Sequence, residues 1–307
     1  WETPEQQDEL LRILLRDWIG IPHNLVLETT LRYSIEGRYP FSRMRYFSSD
    51  ATEKTPTYVF VVEENSEGFS DIFARAPTCP HDIQLLEDAL LELLEISRDR
   101  LEKHGHLRLL SDSTTRNALL SDRFAAIVDV STEVAAAGVF FMTDEQMKIV
   151  DEMELQAIDG FYPDCVDLEK DLKRIHDNWN FTVSMEATRA CLQYLPSSVV
   201  RDASTGEAVS WEMSSPFGTM SNLYTVPEFR CRGLAKLTEM HLIKQYVSQG
   251  LRPFKYVDFR HSHLLSATIS DQQWTRWEDL LGPTSDEKGN DTMGCFPIHY
   301  TMIRPKK

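Results

Sequence analysis

Hydrophobic and polar positions recur along this chain with two periods, and the switches between them mark its elements. The opening run "TPEQQDELLRILLRDW" sets Leu11, Leu14, Leu15 and Trp18 at helical spacing. Thr3 reads as its N-cap, Pro4 as the first helical residue and Gln6 as the partner in a capping box. Strands are expected at Arg43–Phe47 and Thr57–Glu63, the second ended by the turn-rich "EENSEG". "HDIQLLEDALLELLEISRDRLEKHG" predicts one long helix introduced by Pro80 and closed by Gly105, and "AAAGVFFM" predicts a short buried strand. The acidic "TDEQMKIVDEME" reads as a connector, which puts a domain boundary near residue 150.

The second half is punctuated more sharply. "DLEKDLKRIHDNW" and "EATRACLQYL" predict helices, while "SVVRD" and "EAVSWEM" predict strands turned by Thr205 and Gly206. After a further turn at "SSPFG", "TMSNLYTV" alternates with period two. A helix then runs from just after "PEFRCRG" to Gly250, with Leu237, Met240, Ile243 and Val247 on one face. "PFKYVDF" and "PIHYTMIR" are the last strands expected.

Length and composition narrow the picture. A chain of 307 residues with 42% hydrophobic content suits two ordinary domains, divided here as 1–150 and 151–307. A net charge of −16 argues against nucleic acid or anionic membrane as partner, because both need a positive surface. The balance reverses locally. From Glu228 to Arg260 seven basic residues face three acidic ones, which would welcome an anion. Five scattered cysteines (Cys79, Cys165, Cys191, Cys231, Cys295) read as free thiols of a reduced compartment, so an intracellular, cytoplasmic or mitochondrial location is expected. No apolar run approaches membrane-spanning length.

Chemistry concentrates in "YTVPEFRCRGLAK", Tyr224 to Lys236, where a strand gives way to a helix. The first N–H groups of a helix lack partners and carry its positive dipole end. Gly233 and Ala235 keep that start free of bulk, and Arg230 and Arg232 add forked donors suited to phosphate, so a diphosphate is the expected ligand. Pro227 cannot donate to a ladder, so the strand should bulge or part from its neighbour there, and a parting would leave a cleft with Glu228 at its lip. Cys231 has no paired histidine and reads as a bystander thiol. His104 with His106, and His261 with His263 on one strand face, lack further ligands at zinc spacing, so no metal is expected. Trp274 and Trp277 should cover a core edge or an acceptor channel.

The run from Arg201 to Asp258 resembles the C-terminal domain of the glycine N-acyltransferase family, within the GNAT superfamily. The strand residues Ala208 to Trp211, the Thr-x-Pro-Glu-x-Arg element at Thr225 to Arg230 and Arg-x-x-Gly-x-Ala at Arg230 to Ala235 carry the likeness. "HDNWNF" at His176 to Phe181 resembles the family's Asn-x-x-Trp segment. The resemblance is specific over residues 150–270, and over the first half it rests on order and length alone. It implies tandem GNAT-like domains of α/β (mixed α+β) class, each a mostly antiparallel mixed sheet flanked by helices, the first one degenerate.

The resemblance further implies acyl-CoA as donor and a small amine, such as glycine, as acceptor. Main-chain N–H groups from Arg230 through Cys231, Arg232, Gly233, Leu234, Ala235 and Lys236 would hold the pyrophosphate. Leu223, Tyr224, Thr225 and Val226 would meet the pantetheine, with Thr225–Val226 supplying an oxyanion donor. Glu228 matches the family's general base, and burial would fit it to take a proton from the ammonium. Direct attack then needs no covalent enzyme intermediate. After "KYVD" the family carries a polar run with an asparagine. Here Phe259-Arg260-His261-Ser262-His263 stands instead, which leaves acceptor and thiolate-protonating acid open. A GNAT acting on a protein or peptide amine, or a non-catalytic acyl-CoA-binding module, are the alternatives.

Overall fold

The computed structural model describes the chain except residues 17–20, 50–57, 66–70, 76–81, 132–134, 180–183, 277–283, 286–290, 293–297 and 307. Trp18, Cys79, Pro80, Trp277 and Cys295 therefore lie outside the described residues. The strands are β1 (Ser42–Ser48), β2 (Val59–Asn65), β3 (Asp71–Arg75), β4 (Leu107–Ser111), β5 (Val128–Val130), β6 (Ala135–Phe141), β7 (Phe161–Asp164), β8 (Ser197–Asp202), β9 (Ala208–Ser214), β10 (Met220–Thr225), β11 (Phe254–Asp258), β12 (Thr275–Arg276), β13 (Thr284–Ser285), β14 (Asp291–Thr292) and β15 (Ile298–Pro305). The helices are α1 (Pro4–Arg16), α2 (Ile21–Glu36), α3 (Ile83–Ile96), α4 (Arg98–His104), α5 (Ser113–Leu119), α6 (Asp122–Ala125), α7 (Asp144–Glu152), α8 (Leu168–Asp177), α9 (Met185–Tyr194), α10 (Leu234–Ser248) and α11 (Ser262–Ser270).

One sheet runs through both halves in the order β1-β2-β3-β4-β15-β6-β11-β10-β9-β8-β7, with β5 beside β15 and β12 beside β6. Among the described residues its neighbours are antiparallel except β3–β4 and β10–β11. A mixed α/β fold with a mostly antiparallel sheet and flanking helices is what the resemblance implies, and it is what the chain adopts. Where two sheets were expected, β6–β11 pairing joins them into one. The late strand β15 crosses into the sheet built before residue 150, pairing β4 from His299↔Ser111 to Ile303↔Leu107.

Local signals explain most element boundaries. Thr3 Oγ1 accepts from Gln6 N (3.3 Å) while Gln6 Oε1 accepts from Thr3 N (3.1 Å), the reciprocal box expected for α1. The long helix breaks at Ser97 into α3 and α4, and Gly105 closes α4 in the left-handed region at φ 75°. The acidic "connector" is instead helix α7, held by a capping box between Thr143 and Gln146.

Interior contacts bind the halves together. Tyr33 of α2 reaches Ser214 of β9 (Oη to Oγ, 3.5 Å), and Tyr246 of α10 donates to the same hydroxyl at 2.5 Å. Gly218, at φ 80°, lies so close to α2 that a Cβ there would stand 2.3 Å from Thr29 Cγ2. Beyond β9, the buried Arg201 is paired with Asp171 and Asp164, both at 2.7 Å. Asp171 is buried with the arginine, whereas Asp164 is nearly half exposed, so Asp171 is the partner that compensates the buried charge.

Candidate functional site

Strands β10 and β11 run parallel but pair at one position only, Met220↔Lys255. The cause lies on the other edge of β10. Its register with β9 steps from Ser221↔Met213 to Tyr224↔Trp211, so Asn222 and Leu223 together oppose Glu212. Asn222 takes φ 57° to accommodate the extra residue, and such a bulge bends its strand. Past it, β10 stays with β9 and leaves β11, which opens a gap toward the strand ends.

The departure from β11 begins at the bulge, well before Pro227, and a 3-10 turn at Pro227–Phe229 then ends the strand. Val226 N–H donates to Val209 O at 2.9 Å, so Val226 is not a free oxyanion donor, contrary to expectation. Successive N–H groups of an extended strand point to opposite edges, which turns the Thr225 N–H toward the gap. Leu223 through Val226 are all half-buried along it, with Tyr224 stacked on Trp211 at 4.9 Å between ring centroids.

The turn that follows bares a row of amides. Arg230 N–H donates to Pro227 O at 3.3 Å, which removes it from the row. The N–H groups of Cys231, Arg232, Gly233, Leu234, Ala235 and Lys236 find no acceptor among the described residues. Cys231 (φ 60°) and Gly233 (φ 81°) both adopt the left-handed region, with Arg232 between them, the alternation that points successive N–H groups into one concavity. Gly233 is the N-cap of α10 and offers no side chain to occupy that end. Leu234 is buried and anchors the helix start, while Cys231, Arg232, Gly233 and Lys236 are exposed and Ala235 is half-buried.

The charged side chains behave less simply than their count suggested. Arg230 Nε donates to Thr225 O at 2.9 Å and its guanidinium lies 5.6 Å from the Tyr224 ring. Arg232 donates to Glu228 O at 3.2 Å and covers Phe229 at 5.4 Å. Both arginines thus brace the turn and keep charge beside it. Lys236 turns to Asp271 (2.5 Å) and Glu239 (3.4 Å), Arg252 to Asp144 (2.5 Å) and Arg260 to Asp258 (2.5 Å). Much of the local positive excess is answered by acids from outside the run. Glu228 is exposed on the 3-10 turn, so the burial expected around it is absent.

Behind β10 lies a cluster that sequence reasoning missed. Glu212 of β9 is 2% exposed, and its Oε2 has no partner. Burial, then the neighbouring Glu239 carboxylate, push the Glu212 carboxyl well above the usual range, against the pull of Lys255 and Lys236. Lys255, from the residue where β11 last touches β10, pairs with Glu239 of α10 and sits 4.3 Å from the Trp274 ring centroid. The signal was present: a lone glutamate inside "AVSWEMS", a strand buried at every position. Trp274 is buried as expected. His261 precedes α11 and His263 lies within it, so the two do not share a strand face. A cavity of about 230 Å³, lined in part by Tyr33, Tyr39, Ser42 and Met44, includes no residue of β10, the turn or α10.

Comparison with known proteins bears on the fold that holds this site. Residues 199–262 match the family described as FR47-like protein. A Drosophila protein of known crystal structure is 16% identical, with a TM-score of 0.69 over 99% of this chain and 97% of its own. A tandem GNAT protein from the clavulanic acid biosynthesis pathway, in a structure without acetyl-CoA, is 7% identical with a TM-score of 0.52, over 92% of this chain and 87% of its own. At these identities the likeness is one of fold, and the fold is that of a tandem GNAT protein.

Proposed function

From the GNAT fold as premise, we propose that this chain moves an acyl group from acyl-CoA to the amine of a small acceptor, glycine or another amino acid. The observation that carries the reading is the row of unclaimed amides from Cys231 to Lys236, set beside the gap between β10 and β11. Those N–H groups suit the paired phosphates of CoA. The gap admits the pantetheine as an extra strand against Leu223 to Thr225, and the Thr225 N–H offers a hydrogen bond to the thioester oxygen as negative charge develops there.

Glu228 is the proposed base. A carboxylate exposed at the lip takes the ammonium proton directly or through one water, freeing the nitrogen pair for attack on the thioester carbon. Residues 151–307 carry the reaction in this reading, and residues 1–150 form a degenerate companion. No helix among the described residues is long and apolar enough to cross a membrane.

The test has two stages. CoA thioesters of graded chain length should raise the melting temperature, since a ligand of the native state stabilises it. Thiol release from acyl-CoA should then require an amine and fall by about 100-fold or more in Glu228→Gln, as loss of a general base does. Neither melting shift nor thiol release with any amine in a panel of amino acids and peptides would overturn the reading. Release with peptides alone would move it to a peptide acceptor.

A further inference from the structure

Acyl transfer from a thioester to an ammonium moves protons at two atoms, and the lip residue accounts for those at nitrogen. The amine must lose a proton. The departing sulfur, which takes the electron pair of the broken C–S bond, must gain one. A group that supplies it has to hold a proton at working pH and stand at the root of the gap, where the thioester would lie.

Glu212 meets both conditions. It sits on β9 directly across from the bulged pair Asn222 and Leu223, at the place where β10 turns from β11. Lys255 approaches from the opposite flank, at the last point of β10–β11 contact. These two residues, with Glu239 of α10, influence one another electrostatically, so they meet beneath the gap on the side of the sheet that α10 covers. Both basic neighbours are committed elsewhere: Lys255 pairs with Glu239, and Lys236 with Glu239 and Asp271. The Glu212 Oε2 atom is left fully buried without a partner, as is the Asn222 Nδ2 of the bulge itself. A buried carboxyl without a partner is costly in its ionised form and holds its proton.

We infer that Glu212 is the catalytic acid that delivers a proton to the CoA sulfur as it leaves. The inference rests on the acyltransferase reading above. The balance is complete: the amine nitrogen forms the C–N bond, the C–S pair passes to sulfur, and the Glu212 proton makes the thiol. The nitrogen sheds two protons, both by way of Glu228 to solvent: one as the ammonium becomes the free amine, and one after the C–N bond has formed, which leaves the neutral amide. Glu212 remains as a carboxylate facing Lys255 and Lys236, which soften its brief ionisation, and takes a proton from water before the next turnover. The charged groups that act on it are Lys236 and Glu239 from α10 and Lys255 from β11, with Tyr246 of α10 also in electrostatic reach, and the bulge at Asn222 and Leu223 opposes its place on β9. Asp271 pairs with Lys236.

The experiment compares wild type, Glu212→Gln and Glu212→Asp in steady-state acyl-CoA turnover across pH, with CoA-induced melting shifts on the same samples. Glutamine keeps the shape and removes the donated proton. It should lower kcat roughly tenfold or more with KM for acyl-CoA within about twofold. Wild-type kcat should fall on the alkaline side, as Glu212 loses its proton, and that limb should vanish in Glu212→Gln and return in Glu212→Asp. A glutamine variant that melts like wild type with CoA, yet keeps kcat and its pH profile, overturns the assignment. If Glu212→Gln fails to fold, an aspartate variant lacking the alkaline limb overturns it as well. Wild type that binds CoA but transfers nothing to any amine sinks the parent reading and this one together. Turnover with identical profiles in all three proteins sinks this one alone.

Discussion

The described residues contain two parallel strand pairs, each linked through helix, and they have opposite characters. In the first half β3 and β4 are zipped over Asp71↔Arg108, Ile72↔Leu109 and Phe73↔Leu110. The Arg108 guanidinium clamps Asp71 across that pair with two hydrogen bonds of 2.5 Å. Helix α3 begins under Asp82, whose side chain accepts the Leu85 N–H at 3.0 Å. In the second half β10 and β11 touch once, the ion pair runs from β11 to α10, and α10 begins under a glycine. The first crossover caps its helix start and pairs charge across its strands; the second leaves the amides at its helix start open. What separates the structural crossover from the proposed anion site is an acid at the helix cap and an ion pair between the strands, not a difference in fold.

That contrast can be broken from either side. The largest effect is expected from Gly233→Val, because a branched side chain at φ 81° strains the turn that aligns the amides. CoA affinity, read by calorimetry, should fall about a hundredfold with little change in the far-ultraviolet spectrum. On the first half, Glu63 is 5% exposed beside the Asp71–Arg108 clamp, and burial followed by the Asp71 charge pushes its carboxyl up to about 7. A carboxyl raised in the folded state binds its proton more tightly there than when unfolded. Its contribution to stability is full at pH 4 and is lost as pH rises through 7. Urea unfolding at pH 4 and pH 8 should show wild type losing about 2 kcal/mol relative to Glu63→Gln over that interval.

Cys231→Asp would import the first half's device into the second, placing a carboxylate among the open amides at a position whose φ aspartate tolerates. CoA binding should weaken roughly tenfold while the apo protein melts slightly higher. The smallest effect is the converse: Asp82→Ala should cost about 1 kcal/mol of stability and leave CoA binding unchanged. A loss of CoA binding in Asp82→Ala would dissolve the comparison, since it would tie the first crossover to the ligand.

Much of the second half was legible before any coordinates. The β8–β9 hairpin turns with Gly206 at φ 72°, and α10 starts after "PEFRCRG", where unusual side chains had announced a change of backbone. Signals of that kind are local, and glycine, proline and caps carry them. The bulge at Asn222 gave no warning, because a left-handed asparagine inside an alternating strand disturbs no hydrophobic pattern. Neither did the fate of the basic residues. Arg252, Lys255 and Lys236 meet acids from distant or neighbouring elements, and pairing of that kind is invisible to a count along the chain. Glu212 was readable only as an anomaly, one acid in a buried strand, and its chemistry depends on Glu239 and Lys255 arriving from α10 and β11.

The placement of β15 bears on how the molecule comes into being. This strand lies between β4 and β6, and both wait for it although they precede it by some 160 residues or more. During synthesis the early part of the chain therefore emerges with two raw sheet edges and cannot settle as an independent unit. Assembly is a late, long-range closure, of the sort that proceeds slowly and exposes the nascent chain to aggregation or chaperones. A truncation before Ile298 would be felt most at β4 and β6, in the half of the protein where synthesis began.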